Sequence, residues 1–184
     1  MLEKLKNRLD SSRFVHSLEV AELSRELAKR FGEDEEKAYL AGILHDCAKK
    51  IPNDEAINLC IEYGINLNEV ELKNPALIHA PLGAEIAKRD FGAKDADIYN
   101  AIKYHTVARA GMSTLEKIVY VSDMAEPGRN FVGVDEIRKA LKSDLDEGVL
   151  TALKFTLKFN IDRDKLVHPG TIDAWNDIKL KKEK

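Results

Sequence analysis

The chain has 184 residues, of which 44% are hydrophobic and 33% are charged, and its formal net charge is −3. This length suits one domain with a full core, and the composition excludes an intrinsically disordered chain. The slight net charge gives no general attraction to nucleic acid or to an anionic membrane. No apolar run reaches the roughly 20 residues that span a bilayer, and the first residues lack the apolar stretch of a secretory signal. We therefore expect a cytoplasmic protein that binds neither nucleic acid nor membranes.

Helical periodicity extends over almost the whole chain, and no segment alternates as a strand does. The pattern predicts helices at about 11–31, 34–50, 53–63, 74–91, 94–107, 113–126, 134–142 and 144–159, a short piece at 67–72 and a last turn around Trp175. Ser11 or Ser12 is the predicted cap of the first helix. Since no linker divides the chain, we predict a single all-α domain of about eight helices, residues 1–184. Its core is expected at about 11–127, and a C-terminal helical extension at about 128–184 is expected to cover the functional site.

Six histidine and aspartate side chains fall on helix faces that otherwise look apolar. His16, for example, continues the stripe of Val20 and Leu23 at spacings of four and three residues. The set is His16, His45, Asp46, His79, His105 and Asp123. Each histidine alone is more often a hydrogen-bonded core residue than a ligand, and either aspartate alone is more often a helix cap or part of a surface ion pair. Together they need a common compensation, because each unpaired buried ion costs several kcal/mol. A metal centre supplies that compensation.

The residue types in this set restrict the metal. Histidine and aspartate without cysteine favour iron, manganese, cobalt, nickel or catalytic zinc over a structural zinc site. Because 29 residues separate His16 from His45, no local finger can form, and the helices of a bundle must bring the ligands together. Cys47 and Cys60 are the only cysteines. We interpret Cys47 as core packing and expect no disulfide.

The ordered set of six resembles the metal centre of the HD-domain phosphohydrolase superfamily, whose all-α members hydrolyse phosphate esters and anhydrides. The His-Asp pair in "LHDCAK" is the dipeptide that names this superfamily. The segments "FVHSLEVAELSRELAKRFG", "HAPLGAEIAKRDFG", "EPGRNF" and "HPGTIDAWN" resemble its YqeK-type branch. That resemblance implies an HD-domain helical bundle with the activity of a symmetrical bis(5′-nucleosyl)-tetraphosphatase, a phosphoric anhydride hydrolase. Such an enzyme cuts diadenosine tetraphosphate at its centre into two molecules of ADP.

The resemblance also implies roles for individual residues. The implied metal ligands are His16, His45, Asp46 and Asp123. Iron is the favoured metal, as one ion or two, with manganese, cobalt or nickel as alternatives. The candidate catalytic residues are Asp46, His79 and His105, of which the two histidines bind either a second metal or the substrate phosphates. The candidate nucleotide- and phosphate-binding residues are Arg13, Asp46, Lys49, His79, His105, Arg129, His168, Pro169, Gly170, Thr171 and Ile172.

The reaction expected from these residues is hydrolysis by metal-activated water, with basic side chains stabilising the phosphates. Arg13 lies one helical turn before His16, and Lys49 lies one turn after Asp46. The expected partner is a dinucleoside polyphosphate or a nucleoside diphosphate, and a homodimer is left open. One alternative is another HD phosphohydrolase, acting on a nucleotide, an alarmone or a cyclic nucleotide. The other is a non-catalytic nucleotide-binding HD module.

Overall fold

The computed structural model describes residues 1–183. In that range it contains eleven α-helices, one 3₁₀ helix at Pro75–Leu77 and no β-strand. The α-helices are α1 (Leu2–Lys6), α2 (Ser11–Phe31), α3 (Glu35–Leu44), α4 (Asn53–Glu62), α5 (Glu69–Lys73), α6 (His79–Asp90), α7 (Ala96–Tyr104), α8 (Thr114–Ala125), α9 (Val134–Leu141), α10 (Leu145–Ile161) and α11 (Pro169–Lys182). The prediction of an all-α fold is confirmed. The prediction of about eight helices is wrong, because there are eleven.

The three helices beyond the predicted number are short or lack a clear apolar stripe. α1 has five residues, which is too few for a periodic pattern to stand out. α5 also has five residues and coincides with the short piece predicted at 67–72, which was not counted among the eight helices. α11 has 14 residues, where only a turn around Trp175 was predicted. The face that α11 buries consists of Thr171, Ala174 and Ile178, and two of these three residues are small or polar. A proline at its first position and His168 as its cap start this helix.

Several helix boundaries differ from prediction around the site. α6 begins at His79 rather than near residue 74, and α7 ends at Tyr104 rather than near residue 107, so His105 follows a helix end. α3 ends at Leu44 rather than continuing to Lys50, and the residues after it form tight turns instead. The apolar pattern does not reveal this change, because residues 41–48 are buried throughout. His45 and Asp46 therefore follow a helix end rather than lying within a helix. The cap of α2 is Asp10, which accepts a hydrogen bond from the main-chain N–H of Arg13, and not Ser11 or Ser12.

Among the described helices, α2 and α3 pack against each other most extensively. Gly42 makes their approach feasible, since a Cβ atom added there would lie 2.8 Å from the Cα of Ala21. α8 packs against α2 and α3, and α7 packs against α3, α6 and α8. α9 and α10 pack against α8, and α11 packs against α10. These contacts bring the ends of α3 and α7, the start of α6 and the last turn of α8 to one place. None of the helices in residues 1–183 combines the length and apolarity needed to cross a bilayer.

Candidate metal centre

The six predicted histidine and aspartate residues converge from five helices. They are His16 in α2, His45 and Asp46 directly after α3, His79 at the start of α6, His105 directly after α7, and Asp123 in α8. All are buried except Asp123, whose side chain is 19% exposed. The bundle therefore gathers at one end the side chains that the sequence marked as unusual for a core.

One group of ligand atoms surrounds Asp123. Nε2 of His16 lies 3.0 Å from Oδ1 of Asp123, and Nε2 of His45 lies 3.8 Å from the same oxygen. One ligand atom from each of these three residues lies within 4.8 Å of the other two. Nitrogen and carboxylate oxygen at such separations can converge on a single divalent ion.

A second group surrounds Asp46 on the other side of His45. Oδ1 of Asp46 lies 3.1 Å from Nε2 of His79 and 3.7 Å from Nε2 of His105. Oδ2 of the same carboxylate lies 3.4 Å from Nε2 of His45. His45, Asp46 and His105 also place one ligand atom each within 4.8 Å of one another. The two oxygens of Asp46 face different histidines, Oδ2 towards His45 and Oδ1 towards His79, so the arrangement suits one ion or two neighbouring ions.

Three of the histidine rings are oriented by the same kind of local hydrogen bond. Nδ1 of each ring donates a hydrogen bond to the main-chain carbonyl three residues earlier, at the end of a helix or within a 3₁₀ turn. The pairs are His45 with Gly42 at 2.6 Å, His79 with Ala76 at 2.6 Å and His105 with Ile102 at 2.7 Å. A carbonyl can only accept, so the proton resides on Nδ1. The lone pair of Nε2 then points to the centre, as a metal ligand requires.

His16 is oriented by a carboxylate rather than a carbonyl. Its Nδ1 lies 3.0 Å from Oε1 of Glu126, which is 3% exposed. Glu126 also accepts a hydrogen bond from the main-chain N–H of Gly128. Sequence reasoning missed Glu126, and the one available signal is its position three residues after Asp123 on the same side of the helix. A carboxylate behind a metal-binding histidine fixes the ring and raises its basicity.

The donor set fits a divalent metal ion. His45 is fully buried, and its Nε2 has no hydrogen-bond partner among the described residues. A buried polar atom left unpaired costs about 1–3 kcal/mol. An ion bound to this lone pair removes that cost, and imidazole nitrogen with carboxylate oxygen is a ligand set that transition metals accept.

Electrostatics keeps both carboxylates of the centre ionised and His79 neutral. Burial by itself raises the pKa of Asp46, but the neighbouring imidazole rings, led by His45, outweigh burial and hold that pKa well below its usual value. Burial likewise opposes ionisation of Asp123, and contact with His16 outweighs it, so that pKa is also strongly lowered. Burial lowers the pKa of His79 to about 4. At neutral pH both carboxylates are therefore ionised and His79 is neutral.

Three basic side chains border the centre. Nη1 of Arg13 donates to Oδ2 of Asp46 over 2.9 Å. Arg129 binds Asp123 twice, at its side-chain carboxylate and, over 2.7 Å, at its main-chain carbonyl. Nζ of Lys49 lies 3.2 Å from Nε2 of His79, and burial lowers the pKa of this lysine. A strongly anionic ligand at the centre would meet these three cations.

The segment His168–Ile172 lies at the start of α11, beside the residues that follow His105. Thr171 is 3% exposed, and its hydroxyl donates to the carbonyl of Val107 over 2.8 Å. A Cβ atom at Gly170 would lie 2.8 Å from the carbonyl oxygen of Ala108. These two residues of the segment therefore hold α11 against the loop after α7. The side chain of Ile172 is 44% exposed, so it is not needed to hold α11 against this loop.

Comparison with known proteins agrees with this geometry. The family model "HD domain" matches residues 13–128, a range that contains all six histidine and aspartate residues. The symmetrical bis(5′-nucleosyl)-tetraphosphatase of Bacillus subtilis is 40% identical over 94% of this chain and 92% of its own length. Its counterpart from Halalkalibacterium halodurans is 34% identical over 99% of this chain and 97% of its own length.

A solved structure from Clostridium acetobutylicum superposes with a TM-score of 0.95. It is described as a predicted HD superfamily hydrolase involved in NAD metabolism, and it is 42% identical, covering 98% of this chain and 95% of the other. Hydrolases of this family bind divalent metals, in agreement with the histidine and aspartate groups described above. The resemblance stated from the sequence motifs is thus confirmed, and the chain belongs to the HD domain family, among relatives that are symmetrical bis(5′-nucleosyl)-tetraphosphatases.

Proposed function

We propose that this chain is a metal-dependent hydrolase that cleaves diadenosine tetraphosphate at its centre into two molecules of ADP. The observation that carries the proposal is the gathering of six histidine and aspartate side chains at one buried centre bordered by three cations. The relatives of nearly equal length that carry this activity in their names give the substrate. The substrate is a tetraphosphate, and its charge matches the cations around a centre in a mildly acidic chain.

The proposed metal ligands are His16, His45, Asp46 and Asp123, with iron as the favoured metal and manganese, cobalt or nickel as alternatives. Their support is the converging Nε2 and carboxylate oxygen atoms and the unpaired Nε2 of His45. A metal bound there supplies Lewis acidity, which lowers the pKa of a coordinated water and polarises a phosphoryl oxygen. Asp46, which lies between the two groups of ligand atoms, is placed to orient the attacking water as well.

The surrounding residues have distinct proposed roles. Arg13 and Arg129 offer planar guanidinium groups, which suit phosphate oxygens and stabilise negative charge on the leaving diphosphate. Lys49 adds a third cation beside His79. His79 and His105 keep their proton on Nδ1, so their Nε2 atoms act as acceptors. We infer that these two rings accept a proton from water or ligate a second ion.

The C-terminal part of the single domain is proposed to cover the site and to bind one nucleoside. In the segment His168–Ile172, the exposed side chain of Ile172 supports a contact with the base, while Pro169, Gly170 and Thr171 shape the start of α11. α9 and α10 pack against α8, which carries Asp123, so this extension borders the centre directly. A dinucleoside polyphosphate would enter between this extension and the metal centre.

Product analysis tests the proposal. The protein, supplied with Fe²⁺, Mn²⁺ or Co²⁺, is incubated with diadenosine tetraphosphate, and the products are separated by chromatography. ADP alone is expected. AMP with ATP would mean asymmetrical cleavage, and binding without turnover would mean a nucleotide-binding module. Asp46→Asn and Asp123→Asn should lower both bound metal and turnover, whereas Asp97→Asn, at an aspartate whose side chain is 60% exposed on α7, should change neither.

A further inference from the structure

A cavity of about 310 Å³ opens directly beside the metal centre. His105 and Asp123 form part of its wall, so any occupant would lie next to the reacting phosphates. α8 and α10 and the loop after Arg129 enclose the rest of it. The roles proposed above for the site residues leave this space unassigned.

The far wall of the cavity is aromatic. Phe131, Phe155 and Phe159 all line it, and they come from a loop and from two positions one helical turn apart on α10. Phe131 is 37% exposed and Phe159 is 49% exposed, so large apolar surface faces the opening. The guanidinium of Arg163 lies 4.0 Å from the ring centroid of Phe159 and helps to fix that ring. Flat apolar walls of this kind accept the face of a nucleobase.

Two threonine side chains, Thr106 and Thr156, also form part of the wall. The hydroxyl of Thr106 is buried and has no hydrogen-bond partner in the part of the chain that the structure describes. Thr156 lines the same wall, and its hydroxyl lies 3.3 Å from that of Tyr120. An apolar cavity with a few converging polar groups is the usual form of a small-molecule site.

A second, polar cavity adjoins the first and suits the phosphate chain. It has a volume of about 400 Å³, and its wall includes Arg13, His16, Arg129 and Asn130. Phe131 lines both cavities, so the cationic space and the aromatic space meet at this ring. A ligand that is anionic in its middle and aromatic at its end matches this order.

The symmetry of the proposed substrate identifies the occupant. Cleavage at the centre of diadenosine tetraphosphate leaves each nucleoside two phosphates from the cut, so a second nucleoside lies as near to the metal centre as the first. The segment His168–Ile172 is proposed to take one of them and is not part of the wall of this cavity. We propose that the aromatic cavity binds the second nucleoside, by stacking of its purine on Phe159 and Phe131. This inference rests on the proposed function and makes the cavity the feature that selects dinucleoside over mononucleoside polyphosphates.

The test compares a substrate with two nucleosides and a ligand with one. KM is measured for diadenosine tetraphosphate, and Ki is measured for adenosine 5′-tetraphosphate as a competitive inhibitor. Phe159→Ser should raise KM about tenfold, the loss expected for one stacked base, and leave Ki within about twofold. Phe159→Trp should retain the wild-type KM, because it keeps an aromatic wall. The matched control is Ile161→Ser, two residues further along α10 at a side chain that is 63% exposed and outside the cavity.

The outcomes separate this inference from the function on which it rests. An unchanged KM in Phe159→Ser, or an equal rise in KM and Ki, overturns the assignment of the cavity while leaving hydrolysis to ADP intact. A wild-type protein that releases no ADP from diadenosine tetraphosphate overturns both. Circular dichroism and thermal melting of the three variants establish that a raised KM does not come from unfolding, since Phe159 is half exposed.

Discussion

Glu126 accepts a hydrogen bond from Nδ1 of His16 over 3.0 Å, so the residue that ends α8 orients a side chain on α2, 110 positions away. The same α8 carries Asp123, whose Oδ1 lies 3.0 Å from Nε2 of His16. One turn of helix therefore supplies both a proposed metal ligand and the carboxylate that fixes its neighbour. Glu126, the first residue after α8, therefore belongs to the metal centre because it orients His16, although it is not itself a proposed ligand.

Removal of the Glu126 carboxylate should weaken metal binding. We expect Glu126→Ala to lower metal affinity about 10- to 100-fold, the usual loss when a partner behind a histidine ligand is removed. Glu126→Gln should lie between this variant and wild type, because an amide oxygen still accepts from Nδ1 but lacks the charge. Competition with a chelator measures the affinity. Glu36→Gln, at a glutamate whose side chain is 83% exposed, is the control, and affinities equal to wild type in Glu126→Ala would contradict this role.

Arg138 on α9 should stabilise the loop that carries Arg129. Its guanidinium donates to the main-chain carbonyls of Ala125, Glu126 and Arg129 at 3.0, 2.7 and 3.0 Å. Arg138→Met should lower the free energy of unfolding by about 2–3 kcal/mol, since each such bond contributes roughly 1 kcal/mol. It should also raise KM, because Arg129 loses its support.

Urea unfolding and steady-state kinetics measure the two effects. The matched control is Arg30→Met, because Arg30 donates to the single carbonyl of Lys142 on an exposed surface. A loss of stability as small in Arg138→Met as in the control would show that the loop holds its shape without this residue.

The close packing of α2 and α3 should tolerate no side chain at Gly42. An added Cβ would lie 2.8 Å from Cα of Ala21, and forced overpacking costs about 1–3 kcal/mol. Gly42→Ala should therefore destabilise the protein and, by moving His45 relative to His16, weaken metal binding.

The same substitution at Gly83 is the control for helix propensity. A Cβ atom added at Gly83 would lie 3.4 Å from its nearest neighbour, the carbonyl oxygen of His45, which is an ordinary contact. Gly83→Ala should therefore be neutral or slightly stabilising. Thermal melting distinguishes the two variants. Equal melting temperatures for Gly42→Ala and wild type would mean that the helices have room to separate without loss.

Both thiols should be unreactive in the folded protein. Burial raises the pKa of Cys47 to about 12 and that of Cys60 to about 11. Because the thiolate is the reactive form, little of it exists at pH 8 in either case. We expect a thiol reagent such as 5,5′-dithiobis(2-nitrobenzoic acid) to label neither cysteine rapidly at pH 8 and to label both after unfolding. Rapid labelling of one thiol in the native state would contradict the burial of that residue.

The sequence predicts the histidine and aspartate set well because helical periodicity reports which face of a helix is buried. A polar residue such as His16 or His105 on an apolar stripe is visible without any tertiary information. The end of α3 at Leu44 is not visible, because the residues after it remain buried while the backbone changes from helix to turns. Glu126 and Arg138 are likewise hidden, since their partners are main-chain atoms or a residue far away in sequence. The aromatic cavity could not be predicted, because its walls come from separate elements.

The most direct test of the central claim is the release of ADP from diadenosine tetraphosphate by chelator-stripped protein, before and after addition of Fe²⁺, Mn²⁺ or Co²⁺. The stripped protein is expected to release no ADP, and the restored protein is expected to release ADP as its only nucleotide product. Asp46→Asn should stay inactive after metal is added, since it lacks a proposed ligand. The account would be contradicted by equal rates with and without metal, or by AMP and ATP as products.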